Sequence, residues 1–208
     1  MLYLIGGPPR CGKTTLAAAL ARKTSAPRLS LDHIGVVIAP YIPEHEHASK
    51  LPLRVARRET QFSNDAFYAR YSPEAAVDLY RRQAETYWPG IESLIRYAVE
   101  DRHSLILEGW QLLPHLLAGV VEAGSMKAVL LYQTRLETIV QHLRAGSGPD
   151  EWVVRNTRDD ATFVAIAGMI ACFGASIADE ASRYNLTALD TSDDLETALE
   201  EALRVLSL

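Results

Sequence analysis

The sequence predicts a three-layer α/β/α sandwich built on a five-stranded parallel sheet. Short apolar runs alternate with longer segments of helical periodicity along the whole chain. That is the pattern of strands buried on both faces and joined by helical crossovers. The first apolar run also passes through a glycine-rich turn straight into an alanine-rich helix. A length of 208 residues suits one such domain over residues 1–208, with an inserted segment.

Taken in order, Leu2 to Ile5 is the first strand, and a helix runs from Gly12 to about Lys23 with Leu16, Ala19 and Leu20 on its buried face. Pro27 closes the connection. Arg28 to Asp32 is the second strand, with Asp32 at its carboxyl end, the edge where doubly wound sheets bind ligands. Residues 33–72 are the least regular part, carrying Pro40, Pro43 and Pro52, and one local helix is expected over 49–60. Ser72 caps a helix with Pro73 at its first position, extending to about Asp101 with a bend expected near Pro89-Gly90.

Ser104 to Glu108 is the third strand and ends in an acid; a helix follows near Pro114 to Ala123. Met126 to Tyr132 is the fourth. Thr134 is expected to cap a helix reaching about Arg144, which Gly146-Ser-Gly-Pro149 breaks. A single helix is expected over Glu151 to Tyr184, a fifth strand over Asn185 to Asp190, and a last helix capped by Asp193.

The turn after the first strand, Gly7-Pro8-Pro9-Arg10-Cys11-Gly12-Lys13-Thr14, fits G-x-x-x-x-G-K-[ST]. A random chain of this length contains that pattern roughly once in a hundred, and its place between strand and helix makes it a phosphate-binding loop. Successive backbone N–H groups form an anion nest, and the new helix aims its positive end at the same point. Gly7 and Gly12 permit backbone angles and close approach that a Cβ would block. Lys13 reaches the β- and γ-phosphates, and Thr14 offers a hydroxyl to Mg²⁺. Pro8 and Pro9 stiffen the loop entrance without N–H groups, leaving donor binding to Arg10, Cys11, Gly12, Lys13, Thr14 and Thr15. Cys11 at a helix N-terminus is expected to favour its thiolate, so that alkylation blocks nucleotide binding.

Composition narrows the remaining options. Net charge is -5 and no Lys/Arg block resembles a nucleic-acid footprint. Two cysteines are too few for a disulfide framework, so a reducing cytoplasm is expected, and the strand at the N-terminus leaves no room for a signal peptide. Ala161 to Ala178 is uncharged but built mainly from Ala and Gly between acidic flanks, which suits an internal helix better than a membrane span. His45-Glu46-His47 lacks further ligands at metal spacing. The oligomeric state stays open, a homodimer included.

With the loop, Asp32, Glu108, the arginines after the fourth strand and Leu189-Asp-Thr191 placed, the chain resembles a P-loop small-molecule kinase. Gly6-Gly-Pro-Pro-Arg-Cys-Gly-Lys-Thr-Thr15 and Ile106-Leu-Glu-Gly-Trp-Gln-Leu-Leu-Pro114 look most like the 2-phosphoglycerate-kinase-like group. Shikimate, cytidylate and nucleoside kinases share that architecture. The resemblance implies the P-loop NTPase fold with sheet order 2-3-1-4-5, an acceptor-binding insertion at about 33–100, a lid at about 144–158, and ATP with Mg²⁺ as donor.

Phosphoryl transfer needs donor clamping, charge neutralisation and a base or orienter for the acceptor hydroxyl. Lys13 clamps. Asp32 is the expected base, and a ligand for metal or acceptor. Glu108 is expected beside Thr14 as a metal or substrate contact, although the usual acid at that strand end is Asp. Arg155 and Arg158, three apart on one expected helix face, are the lid arginines favoured over Arg144. Arg54, Arg57 and Arg58 are expected to bind an anionic acceptor, and Trp110 to wall its pocket. Two other classes fit the loop: an NTP hydrolase working on a macromolecular partner, and a nucleotide-binding regulatory module. Asp32 and Glu108 at adjacent strand ends favour the kinase, because simple binding needs no base.

Overall fold

The structure is a computed structural model that describes residues 1–121, 125–146 and 152–207. The elements, in chain order, are β1 (Leu2–Gly6), α1 (Lys13–Thr24), β2 (Arg28–Ser30), α2 (Leu31–Ile38), α3 (His47–Lys50), α4 (Pro52–Glu59), α5 (Asn64–Arg70) and α6 (Pro73–Glu100). They continue with β3 (Leu105–Gly109), α7 (Pro114–Leu117), β4 (Met126–Tyr132), α8 (Leu136–Ala145), α9 (Trp152–Arg155), α10 (Asp160–Arg183), β5 (Ala188–Asp190) and α11 (Leu195–Ser207).

The five strands form one all-parallel sheet in the order β2-β3-β1-β4-β5, with helices on both faces, as expected. Alternation along the strands builds both cores. Leu4, Leu107 and Leu130 face α6 and α10, while Ile5, Ile106, Val129 and Leu131 face α1 and α11 through Leu16, Leu20 and Leu206. Each fully buried aliphatic side chain contributes about 1.5–3 kcal/mol, so the sheet is held from both sides. In register, Gly6 lies opposite Gly109, and Ser30 opposite Glu108, which brings three strand ends to one edge.

Several expectations need correction. The second strand stops at Ser30, and Asp32 lies in the first turn of α2, not on the strand. The segment 33–72 is largely helical, and α4 falls inside the expected 49–60. Ser72 does cap α6, its Oγ accepting from the Ala75 N–H at 3.2 Å, and the helix passes through Pro89 as one element. Thr134 does not cap α8: the helix starts one residue later, with Arg135 at the N-cap position and no side-chain cap bond, and the Thr134 N–H donates to Ser192 Oγ at 3.0 Å. Asp194, not Asp193, serves the start of α11 by accepting from the Glu196 and Thr197 N–H groups at 3.0 and 3.2 Å, while Asp193 pairs with Arg135.

The largest correction concerns the expected helix over 151–184. It is two helices, α9 and α10, and Asp159 caps the second by accepting from the Ala161 N–H at 3.0 Å. Arg155 and Arg158 therefore do not share a helix face. The middle of the expected lid, residues 147–151, and the expected helix end at 122–123 lie outside the described residues. By length and composition α10 is apolar enough to span a membrane. Here its Ile166, Ile170, Phe173 and Ile177 are fully buried, and it packs on α6, α8 and β4.

Candidate active site

The glycine-rich loop of residues 7–14 sits where the strand order reverses, at the carboxyl end of β1 between β3 and β4. Its glycines are required. Gly7 has φ 133° and a Cβ there would come within 2.0 Å of the Leu131 carbonyl oxygen. Gly12 has φ 93° and a Cβ would meet Leu195 at 2.8 Å. Lys13, 8 % exposed, folds back so that Nζ donates to the Pro8 carbonyl at 2.5 Å. A buried polar buttress holds the loop from below. Thr191 Oγ1 donates to the carbonyls of Cys11 at 3.3 Å and Tyr132 at 3.1 Å, and the Ser192 N–H donates to Asp190 at 2.8 Å.

Cys11 corrects a second expectation. Its side chain is wholly buried and its thiol donates to the Pro8 carbonyl at 2.9 Å. Burial pushes the thiol above its ordinary value, outweighing the nearby Lys13 ammonium. The thiolate is disfavoured, and the loop cysteine is a packing group.

A cleft of about 900 Å³ opens over the loop. Its walls include Pro9, Arg10, Gly12, Lys13, Thr14 and Thr15 from the loop and Asp32, Arg57, Glu108, Trp110 and Arg155 from elsewhere. Gly7, Pro8 and Cys11 lie outside the lining. Arg58 is exposed and does not line the cleft, nor does Arg158, which is also exposed and whose N–H donates to Asp65 at 3.0 Å. Arg144 pairs with Asp160.

Arg54 lies behind the wall. Its N–H donates to Gln83 at 2.9 Å, and its Nε is buried without a partner. The neighbouring Tyr87 phenol is pushed up first by burial, and there Arg54 and Asp32 act in opposite directions.

Thr14 Oγ1 donates to Glu108 Oε1 at 3.3 Å, and Glu108 is 6 % exposed. A carboxylate and a hydroxyl this close, at a helix N-terminus beside a phosphate nest, suit Mg²⁺, which keeps waters and takes few protein ligands. Among the described residues no group of three or more His, Cys, Asp or Glu is placed to hold a metal. Asp32 accepts from Gln111 Nε2 at 3.2 Å, and Gln111 is 1 % exposed with its Oε1 buried and unpaired.

The far wall comes from two distant stretches of chain locked together by Asn64, which is wholly buried. Asn64 Oδ1 accepts from Arg57 Nη1 at 2.7 Å. Its Nδ2 reaches Thr157 Oγ1 at 3.0 Å and the carbonyl of Val153 at 3.4 Å, and its N–H donates to the Asn156 carbonyl at 2.9 Å. Asp65 adds two bonds, accepting from the N–H groups of Arg158 and Asp159 at 3.0 and 3.2 Å. The Arg57 guanidinium lies 3.9 Å over the Phe67 ring and 5.4 Å from Trp152. Trp110 meets Tyr80 edge-on at 4.9 Å.

Sequence reasoning missed Phe62, Asn64 and Trp152, and it quoted Gln111 and Thr191 within motifs without giving them a role. Gln111 was within reach, three residues after Glu108 beside a strand end. Asn64 and Phe62 sit in unremarkable polar sequence and carry no local signal.

No family model matches the chain, and no curated protein does. Solved structures do. The shikimate kinase of Bacteroides thetaiotaomicron is 14 % identical with a TM-score of 0.52, over 100 % of this chain and 99 % of that one. TT1252 of Thermus thermophilus is 20 % identical over 98 % and 94 %, with a TM-score of 0.48. The dephospho-CoA kinase of Campylobacter jejuni is 12 % identical over 99 % and 95 %, with a TM-score of 0.39. At 14 % identity the likeness to that shikimate kinase shows the fold alone, the three-layer α/β/α sandwich on a five-stranded parallel sheet.

Proposed function

We propose that this protein is an ATP-dependent kinase that phosphorylates a hydroxyl of a small anionic metabolite. The observation that carries this reading is the composition of one cleft. It joins the phosphate loop to Asp32, Glu108, Arg57 and Arg155, so that clamp, acid and cations share one space. One fold likeness, a shikimate kinase by name, is consistent with the reaction class and leaves the acceptor open.

In this reading Gly12, Lys13, Thr14 and Thr15 bind the donor phosphates through backbone N–H groups, the ammonium and the hydroxyls. Thr14 and Glu108 would hold Mg²⁺, which neutralises charge on the phosphates when bound. Asp32, steadied by Gln111, accepts the proton of the acceptor hydroxyl. That oxygen bonds to the γ-phosphorus as the bond to the leaving ADP oxygen breaks. Arg155 lies at the cleft wall, where a planar cation suits the charge spread over the transferring group. Residues 33–100 form the acceptor side, with Trp152, Arg155 and Asn156 also on the cleft wall. The reading takes α10 as an internal helix and involves no nucleic acid.

The test is ADP release from ATP·Mg²⁺ with and without a panel of hydroxy acids, phosphorylated acids, sugars and nucleosides. A rise confined to some acceptors, with equimolar phosphorylated product, is expected. Hydrolysis indifferent to every acceptor would reject the kinase in favour of an NTP hydrolase.

A further inference from the structure

The acceptor half of the cleft carries a feature that an anionic hydroxyl compound alone does not require. Phe62 lines the cleft, yet is 58 % exposed. Its backbone has φ 60°, directly after Gln61 at φ 50°. Two consecutive residues with a Cβ in the left-handed region are costly. The end of α4 explains the first of them. The Phe62 N–H donates to the Arg57 carbonyl at 2.8 Å and the Gln61 N–H to the Arg58 carbonyl at 3.0 Å. This is a Schellman turn with Gln61 in the place usually given to glycine. In such a turn the residue at the Phe62 position ordinarily packs back on its own helix. Phe62 instead stands in the cleft.

Phe62 and Arg57 line the same cleft, and the Arg57 guanidinium is fixed by Asn64 at 2.7 Å and by the Phe67 face at 3.9 Å. Among the described residues no carboxylate forms an ion pair with Arg57. Trp110, Tyr80 and Trp152 complete the walls. An immobilised cation and an exposed ring lining one cleft, with three further aromatic side chains in its walls, recognise an anion and a flat apolar body together.

We propose that the acceptor is a hydroxy compound carrying both an anionic group, taken by Arg57, and a planar ring, taken by Phe62. This deepens the kinase reading and rests on it for the location of the reacting hydroxyl.

The test uses equilibrium binding, read by quenching of tryptophan fluorescence with no turnover. Three probes separate the contributions: mandelate has ring, hydroxyl and carboxylate; lactate lacks the ring; 1-phenyl-1,2-ethanediol lacks the anion. Mandelate is expected to bind at least about 10-fold tighter than either, the scale of one added aromatic contact. Phe62→Gly removes the ring while supplying the residue that the backbone angle favours. Its Tm is expected not to fall, and its mandelate affinity to drop to that of lactate. Equal affinity for mandelate and lactate, a ring preference that survives Phe62→Gly, or no binding of any probe would overturn the proposal. Acceptor-dependent ADP release on a ringless acid with no ring preference would sink this inference and leave the kinase standing.

Discussion

The two halves of the cleft are built in opposite ways. The half proposed to bind the donor is mostly local: β1, the loop and the start of α1 occupy residues 2 to 15, and the Cys11 and Lys13 bonds to the Pro8 carbonyl span no more than five residues, with Thr191 and Glu108 as its distant partners. The half proposed to hold the acceptor is assembled from far apart. Asn64 bonds Thr157 across 93 positions, and Gln111 bonds Asp32 across 79. Closing such long connections costs chain entropy that only a formed core repays. The donor half is accordingly the sturdier piece, and the acceptor half is the piece that tertiary packing can lose.

Lys13→Ala gives the largest effect if the local half works as a unit. Turnover is expected to fall about 10³-fold, the scale of a lost electrostatic contact to the transferring group, with far-UV circular dichroism unchanged. An enzyme still turning over within a few fold would break the donor assignment. Asp32→Asn probes the other half and keeps the shape. It should cut kcat about 10²-fold or more, as for a lost general base, and leave ATP affinity within a few fold. Full activity would remove Asp32 from the chemistry.

Asn64→Ala sharpens the contrast in stability. It strips partners from Arg57, Thr157 and two backbone groups inside the protein, and a loss of about 2–3 kcal/mol is expected in denaturant unfolding. ATP affinity should change far less than stability, since the loop keeps its own bonds. Cys11 offers a chemical reading of the same tightness. Its burial and raised thiol predict that iodoacetamide at neutral pH labels it only after unfolding; rapid labelling in the folded protein would show the loop to be open.

The smallest effect is in acid. For Asp65, burial alone would raise the carboxyl, but hydrogen bonds from Thr162, Arg158 and Asp159 outweigh it and hold it below its ordinary 3.8. A depressed carboxyl contributes stability that is complete above the unfolded value and fades as pH falls through the folded one. Asp65→Asn should therefore lose its stability deficit relative to wild type as pH drops below about 4. A deficit that persists unchanged to lower pH would deny Asp65 its role in joining α5 to α10.

Much of the donor half was legible because its signals are short. A strand, a glycine at φ 133°, a second at 93° and a lysine follow one another, and each residue type has one structural use there. The strand ends were legible in the same way, and Glu108 does meet Thr14. Asp32 was found as a residue and misplaced as an element, because Leu29 and Leu31 alternate as in a strand while α2 already begins at Leu31. The arginines show where local reading stops. Arg54, Arg57 and Arg58 look alike in sequence, and only Arg57 lines the cleft. Which face of α4 turns inward depends on α6 and α5, not on the cluster itself.

The sequence by itself determined the sheet, its helical layers and the phosphate loop. Strand alternation and glycine backbone freedom act over a few residues and need no distant partner. Tertiary structure decided the acceptor wall. Asn64, Phe62, Trp152 and Arg155 become neighbours only after α5 docks against the segment leading into α10, and the reason is physical. A buried amide bonded to Thr157 and to the Val153 carbonyl is satisfied by the folded chain, and nothing within a few residues of it could supply those partners.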